Sequence, residues 1–166
     1  MKKIGVLGTS TIFELGTSED IDLFFTAVSR VLEQDRWGKH YPVVMLKLYK
    51  KTLDLDEIKE AKVEIDEIQL KFSQIPLDST ISSKLDIDMN KTSWNIHATD
   101  LGDFFDNFFK AFNTAYSMTL SLNNKYGEYS PMLLGGTSIG HATEDTMRPI
   151  EEYNKLSDSD LPFWKR

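Results

Sequence analysis

Histidine is the residue type in this sequence best suited to acid–base catalysis or metal binding, and the chain contains three: His40, His97 and His141. No two of them have the spacing of a metal-binding pair such as H-x-x-x-H. His141 lies three residues before Glu144 in a glycine-rich stretch, and such a pair could exchange protons with a substrate. An ordinary surface loop is the interpretation that we favour there.

Two glycine-containing stretches could serve a nucleotide or a catalytic nucleophile. Residues 5–10 read Gly-Val-Leu-Gly-Thr-Ser, but they lack the glycine spacing and the lysine of phosphate-binding loops. Residues 136–140 match G-x-S-x-G, the nucleophile elbow, but no helical pattern follows them as that motif requires. We favour turns without catalysis. An enzyme or small-molecule-binding protein that uses the loops at residues 5–10 and 135–141 is the alternative function.

Carboxylates are the most abundant charged groups, with 26 Asp and Glu against 19 Lys and Arg and a net charge of −7. This balance disfavours binding to nucleic acid or to an anionic membrane, since both require positive charge. It suits a basic protein partner, because complementary charge speeds association and sets specificity. A solvated face is the simpler alternative. The residues predicted to bind a partner are Asp54, Asp56, Glu57, Glu60, Glu64, Glu67, Asp86 and Asp88.

A predicted helix from about Asp54 to Gln74 positions the first six of these acidic residues. Asp54 can cap the helix, and Glu57 lies three residues later at capping-box spacing. The apolar residues form a narrow seam at three- and four-residue spacing. The members of the seam are Ile58, Ala61, Ile65, Ile68, Phe72 and Ile75. A structural protein that self-associates through this seam is a further alternative.

The remaining two acidic residues lie in a predicted β-hairpin over about residues 84–98. Apolar and polar residues alternate in Leu85–Met89 and again in Trp94–Ala98, as in two half-buried antiparallel strands. This pairing would place His97 across from Asp86 or Asp88, although solvated side chains are the simpler interpretation.

A long aromatic helix is predicted to cover this hairpin. It begins near Gly102, after Thr99 or Asp100 as the cap, and its apolar stripe continues to Leu122. Five of its residues are phenylalanines at helical spacing: Phe104, Phe105, Phe108, Phe109 and Phe112. Because each aromatic ring buries a large apolar surface, this stripe should face the sheet.

Other elements follow from shorter patterns. We expect a strand over Lys3–Leu7 and a strand or packed loop over 12–15. Residues 43–50 fit either a strand, by the alternation of Val44, Leu46 and Leu48, or a helix, which we favour. A further helix should be capped by Thr17, with Asp20 at capping-box spacing, and end near Gln34. Residues 126–166 should be rich in loops, with an edge strand at 132–134, a short helix within 147–156 and docking of Phe163 and Trp164.

The predicted fold is therefore α+β. A small, mostly antiparallel sheet, made of the 84–98 hairpin and the N-terminal strand, packs against three or four helices in a single domain of residues 1–166. Without cysteine, no disulfide or thiolate metal site can form. The apolar run after the first three residues is too short for a signal peptide, and no run approaches a membrane span. We therefore expect a cytoplasmic protein without a cofactor.

Several distinctive sequence motifs also occur along the chain. Residues 37–49 have the order Trp-Gly-x-x-(Tyr/Phe)-Pro followed by a tyrosine, and residues 99–105 read Thr-x-Leu-x-x-(Phe/Tyr)-Phe. Between them lie an Ile/Ala/Glu-rich helix ending at Pro76 and the phrase Trp94-Asn95-Ile96. Together, over about residues 16–122, these phrases resemble the immunity protein 70 family of bacterial polymorphic toxin systems.

The resemblance implies a small antidote that binds the C-terminal toxic domain of a partner encoded beside it and blocks that domain by occlusion. It implies a protein that is not an enzyme and acts as a monomer or weak homodimer in a one-to-one complex. Many such toxins act on nucleic acid and are basic, so the acidic balance of this chain would suit a basic toxin domain.

Overall fold

The computed structural model describes residues 3–9, 11–126, 132–138, 141–143 and 148–166. The strands described there form a sheet in the order β2–β1–β3–β4, with antiparallel pairing throughout. β1 is Lys3–Gly8, β2 is Thr11–Thr17, β3 is Met132–Ser138 and β4 is His141–Ala142. Helices pack against this sheet, so the predicted α+β class is confirmed.

The described helices include α-helices and two π-helical segments. The α-helices are α1 (Ser18–Ala27), α2 (Leu55–Phe72), α3 (Ser79–Lys84), α4 (Leu101–Phe104), α5 (Asp106–Tyr126) and α6 (Ile150–Asn154). The π-helices are π1 (Val28–Leu32) and π2 (Val43–Leu48), and Phe163–Lys165 form a 3₁₀ turn. π1 continues α1 without a gap, and π2 confirms the helix predicted over residues 43–50.

Strand β1 lies in the middle of the sheet. Its Val6 pairs with Phe13 of β2 on one side and with Leu134 of β3 on the other. Residues 132–134 form the predicted strand and pair with β1 on one side, while β4 pairs only with Thr137 and Ser138 of β3. β2 satisfies only one side of β1, and β3 provides hydrogen-bond partners for the other side.

The hairpin predicted over residues 84–98 is also wrong. α3 ends at Lys84, and residues 85–100, which the structure describes completely, form no strand. Leu85 and Trp94 are buried in the helical core as single anchors, at 3% and 4% exposure. The alternating pattern therefore marks Leu85 and Trp94 correctly as inward-facing, but not Ile96, which is 46% exposed. It does not report strand pairing, because a loop anchored at intervals produces the same pattern.

The predicted helix caps are confirmed. Thr17 and Asp20 form the capping box of α1, and Asp54 and Glu57 form that of α2, with both reciprocal hydrogen bonds present. Asp100 caps α4. The seam of α2 is buried from Ile58 to Phe72, which contradicts self-association through it; its members there are Ile58, Ala61, Ile65, Ile68 and Phe72.

The five predicted phenylalanines are confirmed as core residues, each at most 1% exposed. Their partners are mainly helical, whereas the sequence predicted packing on a hairpin. The ring of Phe108 stacks on that of Phe24 from α1 at 3.7 Å between centroids, and Phe105 lies 5.6 Å from Phe72 of α2. Helix α5 also contacts the sheet at Gly8, where an ideal Cβ would lie 2.6 Å from Ala115 Cα. Glycine at this position allows α5 to approach β1 closely.

The C-terminal part of the chain returns to the body of the protein. Residues 126–166, predicted to be rich in loops, include β3, β4, α6 and the 3₁₀ turn. Trp164 is 2% exposed, and its indole N–H donates a hydrogen bond of 2.6 Å to the Tyr49 carbonyl. The predicted docking of this residue is therefore confirmed.

Candidate partner-binding surface

The acidic residues at the start of α2 have partners within the protein. Asp54 and Glu57 exchange hydrogen bonds in the capping box, at 3.1 and 2.8 Å. Glu57 also forms an ion pair of 2.6 Å with Lys47 from π2. These two carboxylates therefore stabilise the helix terminus and its contact with π2.

Glu64 is half-buried and supports π2 directly. Its carboxylate oxygens accept the backbone N–H groups of Val43 and Val44 at 3.2 and 2.9 Å. Those N–H groups belong to the first turn of a helix, where no intrahelical acceptor exists. Burial raises the pKa of Glu64, and the hydrogen bonds from Val44 and Val43 oppose this effect. The geometry gives Glu64 a structural role, so it is a poor candidate for the outer surface.

The other predicted acidic residues of α2 remain available at the surface. Asp56 and Glu60 are exposed, and within the described part of the chain neither forms an ion pair. Glu67 is also exposed, and its Oε1 lies 3.4 Å from the Nζ of Lys71, one helical turn later. The acidic face of α2 therefore consists mainly of Asp56, Glu60 and Glu67.

Asp86 and Asp88 lie elsewhere, in an open groove between α1 and residues 85–92. The groove has a volume of about 890 Å³, and no residue of α2 lines it. Asp88 is 3.8 Å from Lys91, and its side chain accepts the Asn90 backbone N–H at 3.0 Å. Asp86 has a left-handed backbone, with φ of 54°. The structure therefore divides the eight predicted residues between two surfaces.

Asp20 links the two walls of this groove, α1 and residues 85–92, through hydrogen bonds. The sequence did not reveal this role. Its buried carboxylate accepts hydrogen bonds from the Thr92 hydroxyl at 3.1 Å and from the Ser93 N–H at 3.0 Å. Its backbone carbonyl accepts the indole N–H of Trp94 at 3.0 Å. The capping-box spacing identified Asp20 as a cap, but these partners are more than 70 residues away in sequence.

A second buried carboxylate holds the loop after π1. Glu33 is 0% exposed and accepts the backbone N–H groups of Gly38, His40 and Tyr41 at 3.0, 2.9 and 3.1 Å. These donors belong to the Trp-Gly-x-x-Tyr-Pro phrase. The residues of this motif therefore form a loop around the buried Glu33 carboxylate. In the sequence, the only hint of this role was the position of Glu33 shortly before the motif.

The model of one protein family, immunity protein 70, matches residues 7–123. This chain belongs to the immunity protein 70 family. Membership indicates an immunity protein. The matched residues include β2, the buried carboxylates and helices α1 to α4. Among curated proteins and among solved structures, nothing matches this chain.

The Trp-Gly-x-x-Tyr-Pro loop of this immunity protein 70 family member, residues 37–42 and here called the signature loop, also contributes Trp37 to a pocket. The Trp37 indole N–H donates to the Met45 carbonyl at 2.8 Å, and the indole ring lies beside the rings of Phe25 and Tyr49. The next residue, Gly38, has φ of 79°, a conformation that favours glycine. The pocket has a volume of about 310 Å³ and opens between Trp37 and Leu46.

Over their described residues, the glycine-rich stretches of this family member lie mainly in strands, and not in the ligand-binding loops that the alternative function needs. Gly5 pairs with Gly135 between β1 and β3, so both glycines lie inside the sheet. The described part of the G-x-S-x-G match, residues 136–138, is strand β3, which corrects the expected turn. Ile139, Gly140 and Glu144 lie outside the described residues.

The remaining candidate chemistry can be placed only in part. His40 and His97 are exposed, and the hairpin that was to bring His97 to Asp86 does not form. The described residues contain no group of three or more His, Asp or Glu side chains suited to a metal ion. Over the same residues, no helix combines the length and hydrophobicity needed to cross a membrane.

Proposed function

We propose that this protein is the antidote to a toxin domain encoded beside it, and that it neutralises that domain by covering a surface the toxin needs. Membership of the immunity protein 70 family is the observation that carries this proposal. The complex is one-to-one and forms in the cytoplasm. The protein contributes no catalytic step and no cofactor, because occlusion requires only a complementary surface.

Two acidic surfaces are available for a basic region of the toxin domain. One is the face of α2 with Asp56, Glu60 and Glu67, and the other is the groove with Asp86 and Asp88. Asp54, Glu57 and Glu64 support the first of these surfaces, through the cap of α2 and the contacts with π2 described above. Complementary charge would speed the encounter and favour the correct partner.

The alternative, an enzyme or small-molecule-binding protein that uses residues 5–10 and 135–141, has less support. Gly5, Gly135 and Gly136 belong to paired strands in which the backbone N–H and C=O groups of the sheet face one another. A phosphate or small ligand would need such groups to be free.

The test is paired expression. The toxin-like C-terminal domain encoded next to this chain is expressed in a heterologous host with this protein, with an unrelated acidic protein of similar size, or alone. We expect growth to be restored only by this protein, and the two chains to co-elute. Arrested growth together with separate elution would contradict the proposal.

A further inference from the structure

Two large apolar side chains lie exposed beside each other near the signature loop. Trp37 is 38% exposed and Leu46 is 44% exposed. The pocket between them is completed by Met45 and Tyr49, with Lys50 and Asp158 at its border. Its volume of about 310 Å³ is large enough to receive a single apolar side chain. Tryptophan and tyrosine are also the residues most enriched among those that dominate binding energy at interfaces.

Contacts within the protein hold the side chains of this pocket in place. Trp37 is held by its hydrogen bond to the Met45 carbonyl and by ring contacts with Phe25 and Tyr49, at centroid distances of 6.3 and 4.9 Å. An ideal Cβ on Gly38 would lie 2.7 Å from Leu46 Cγ, so glycine lets Leu46 lie against the loop. A preorganised pocket loses little conformational entropy on binding, which favours affinity.

The charge around the pocket differs from that of the whole protein. Residues 36–51 contain five Lys and Arg and no Asp or Glu, although the chain has a net charge of −7. Lys47 is paired with Glu57, and Lys50 donates to two backbone carbonyls. Arg36 and Lys39 are exposed, and within the described residues neither forms an ion pair. Asp158 lies at the pocket border beside Lys50, and exposed Asp35 precedes Arg36. The two exposed cations that flank Trp37 in the sequence, Arg36 and Lys39, therefore outnumber the one exposed carboxylate next to them.

We propose that this pocket receives an apolar side chain carried on an acidic segment of the toxin domain. The inference rests on the proposed function and adds to it a specific anchor. The apolar side chain enters between Trp37 and Leu46, and acidic neighbours on the same segment meet Arg36 and Lys39. The toxin domain would therefore carry an acidic segment that binds at this pocket and a separate basic region that binds the acidic surfaces.

A nucleic acid fits this site less well, although aromatic and basic residues also occur together at nucleic-acid interfaces. The pocket walls include the aliphatic side chains Met45 and Leu46, and the Trp37 indole N–H is already used within the protein. The net charge of −7 also repels a polyanion.

Trp37 itself supplies the first test, because Trp94 and Trp164 are only 4% and 2% exposed. The full chain is labelled with 5-fluorotryptophan, the Trp37 signal is assigned with Trp37→Phe, and ¹⁹F NMR spectra are recorded in H₂O and D₂O. We expect the unlabelled toxin domain to shift the Trp37 signal and remove its solvent isotope effect, while the other two signals change little.

Substitutions provide the second test, with affinity for the toxin domain as the readout. Leu46→Ser should raise Kd about tenfold or more, whereas Leu161→Ser, at a position that is 54% exposed, should leave Kd within about twofold. Lys39→Glu should weaken binding in low salt, and Lys155→Glu, a matched change at an exposed lysine that follows α6, should not. Thermal melts confirm that each variant is folded.

The outcomes separate the two proposals. Tight binding and growth rescue with an unchanged Trp37 signal and a neutral Leu46→Ser would overturn this anchor and leave the antidote function standing. Absence of both binding and rescue would overturn both. The proposed occupant would also be overturned if the toxin domain left the Trp37 signal unchanged, while an oligonucleotide or a higher concentration of the protein alone shifted it.

Discussion

The carboxylate of Glu33 accepts the backbone N–H of Tyr41 at 3.1 Å, in the interior of the protein. Two further backbone donors from the same loop, Gly38 and His40, complete the set. A buried carboxylate is costly unless hydrogen bonds replace the water it has lost, and here three N–H groups do so. The loop that carries Trp37 therefore depends on a charge that no solvent reaches.

Removal of the Glu33 carboxylate should be strongly destabilising. Glu33→Ala leaves three N–H groups without their acceptor, so we expect the free energy of unfolding to fall by about 3 kcal/mol or more. Glu33→Gln keeps the shape and one acceptor oxygen and should cost less. Urea unfolding measures both variants. A loss below about 1 kcal/mol for the alanine variant would show that the loop is held by other contacts.

Asp20 should make stability depend on pH. Burial would raise the pKa of Asp20, but hydrogen bonds from Ser93 and Thr17, with Thr92, hold it below the ordinary value of 3.8. A lowered folded-state pKa contributes stability at neutral pH that disappears as the pH falls through that pKa. The difference in unfolding free energy between the wild type and Asp20→Asn should therefore be largest near neutral pH and shrink below about pH 4.

Urea unfolding from neutral to acidic pH measures this difference. Glu19→Gln, which changes an exposed carboxylate in the same helical turn, is the matched control and should show a smaller and flatter difference. If the difference for Asp20→Asn did not change with pH, the Asp20 hydrogen bonds would owe nothing to its charge.

Gln34 is a site where glycine should stabilise the protein. Its backbone is left-handed, with φ of 52°, and its side chain is exposed. A side chain in this conformation costs about 1–2 kcal/mol, and glycine avoids that cost while losing part of the gain to greater freedom in the unfolded chain. We expect Gln34→Gly to raise the unfolding free energy by about 0.5 kcal/mol. Arg36→Gly, at an exposed position without positive φ, should lower it, and the same sign for both variants would contradict the argument.

Charge reversal on α2 should affect association more than stability. Asp56→Lys and Glu60→Lys change exposed carboxylates, so we expect slower binding to the toxin domain in low salt and a difference that narrows as salt is added. Stopped-flow or biosensor kinetics measure this effect. Glu151→Lys, at an exposed site on α6, is the control. Equal association rates for all three variants and the wild type would remove α2 from the binding surface.

The sequence alone determined the features that depend on neighbours within one or two helical turns. The capping boxes of Thr17 with Asp20 and of Asp54 with Glu57, the buried seam of α2 and the aromatic face of α5 are all present. Each is encoded by spacing, because a cap reaches three residues ahead and a helical face repeats every three or four. The family resemblance was likewise carried by short phrases, and the family match confirms it.

Only the tertiary structure decided which chain segments meet. The alternation in residues 84–98 indicated the burial of Leu85 and Trp94 but not the 46% exposure of Ile96, and the sheet forms from β1, β2, β3 and β4, with Val6 paired to the distant Leu134. Glu64 looked like an outer charge and instead caps π2, and Asp20 holds residues 92–94 in place. Periodicity shows which side of a segment faces inward but not its partner. That partner depends on the chain's overall path, since contacts between distant residues form only once both segments have been brought together.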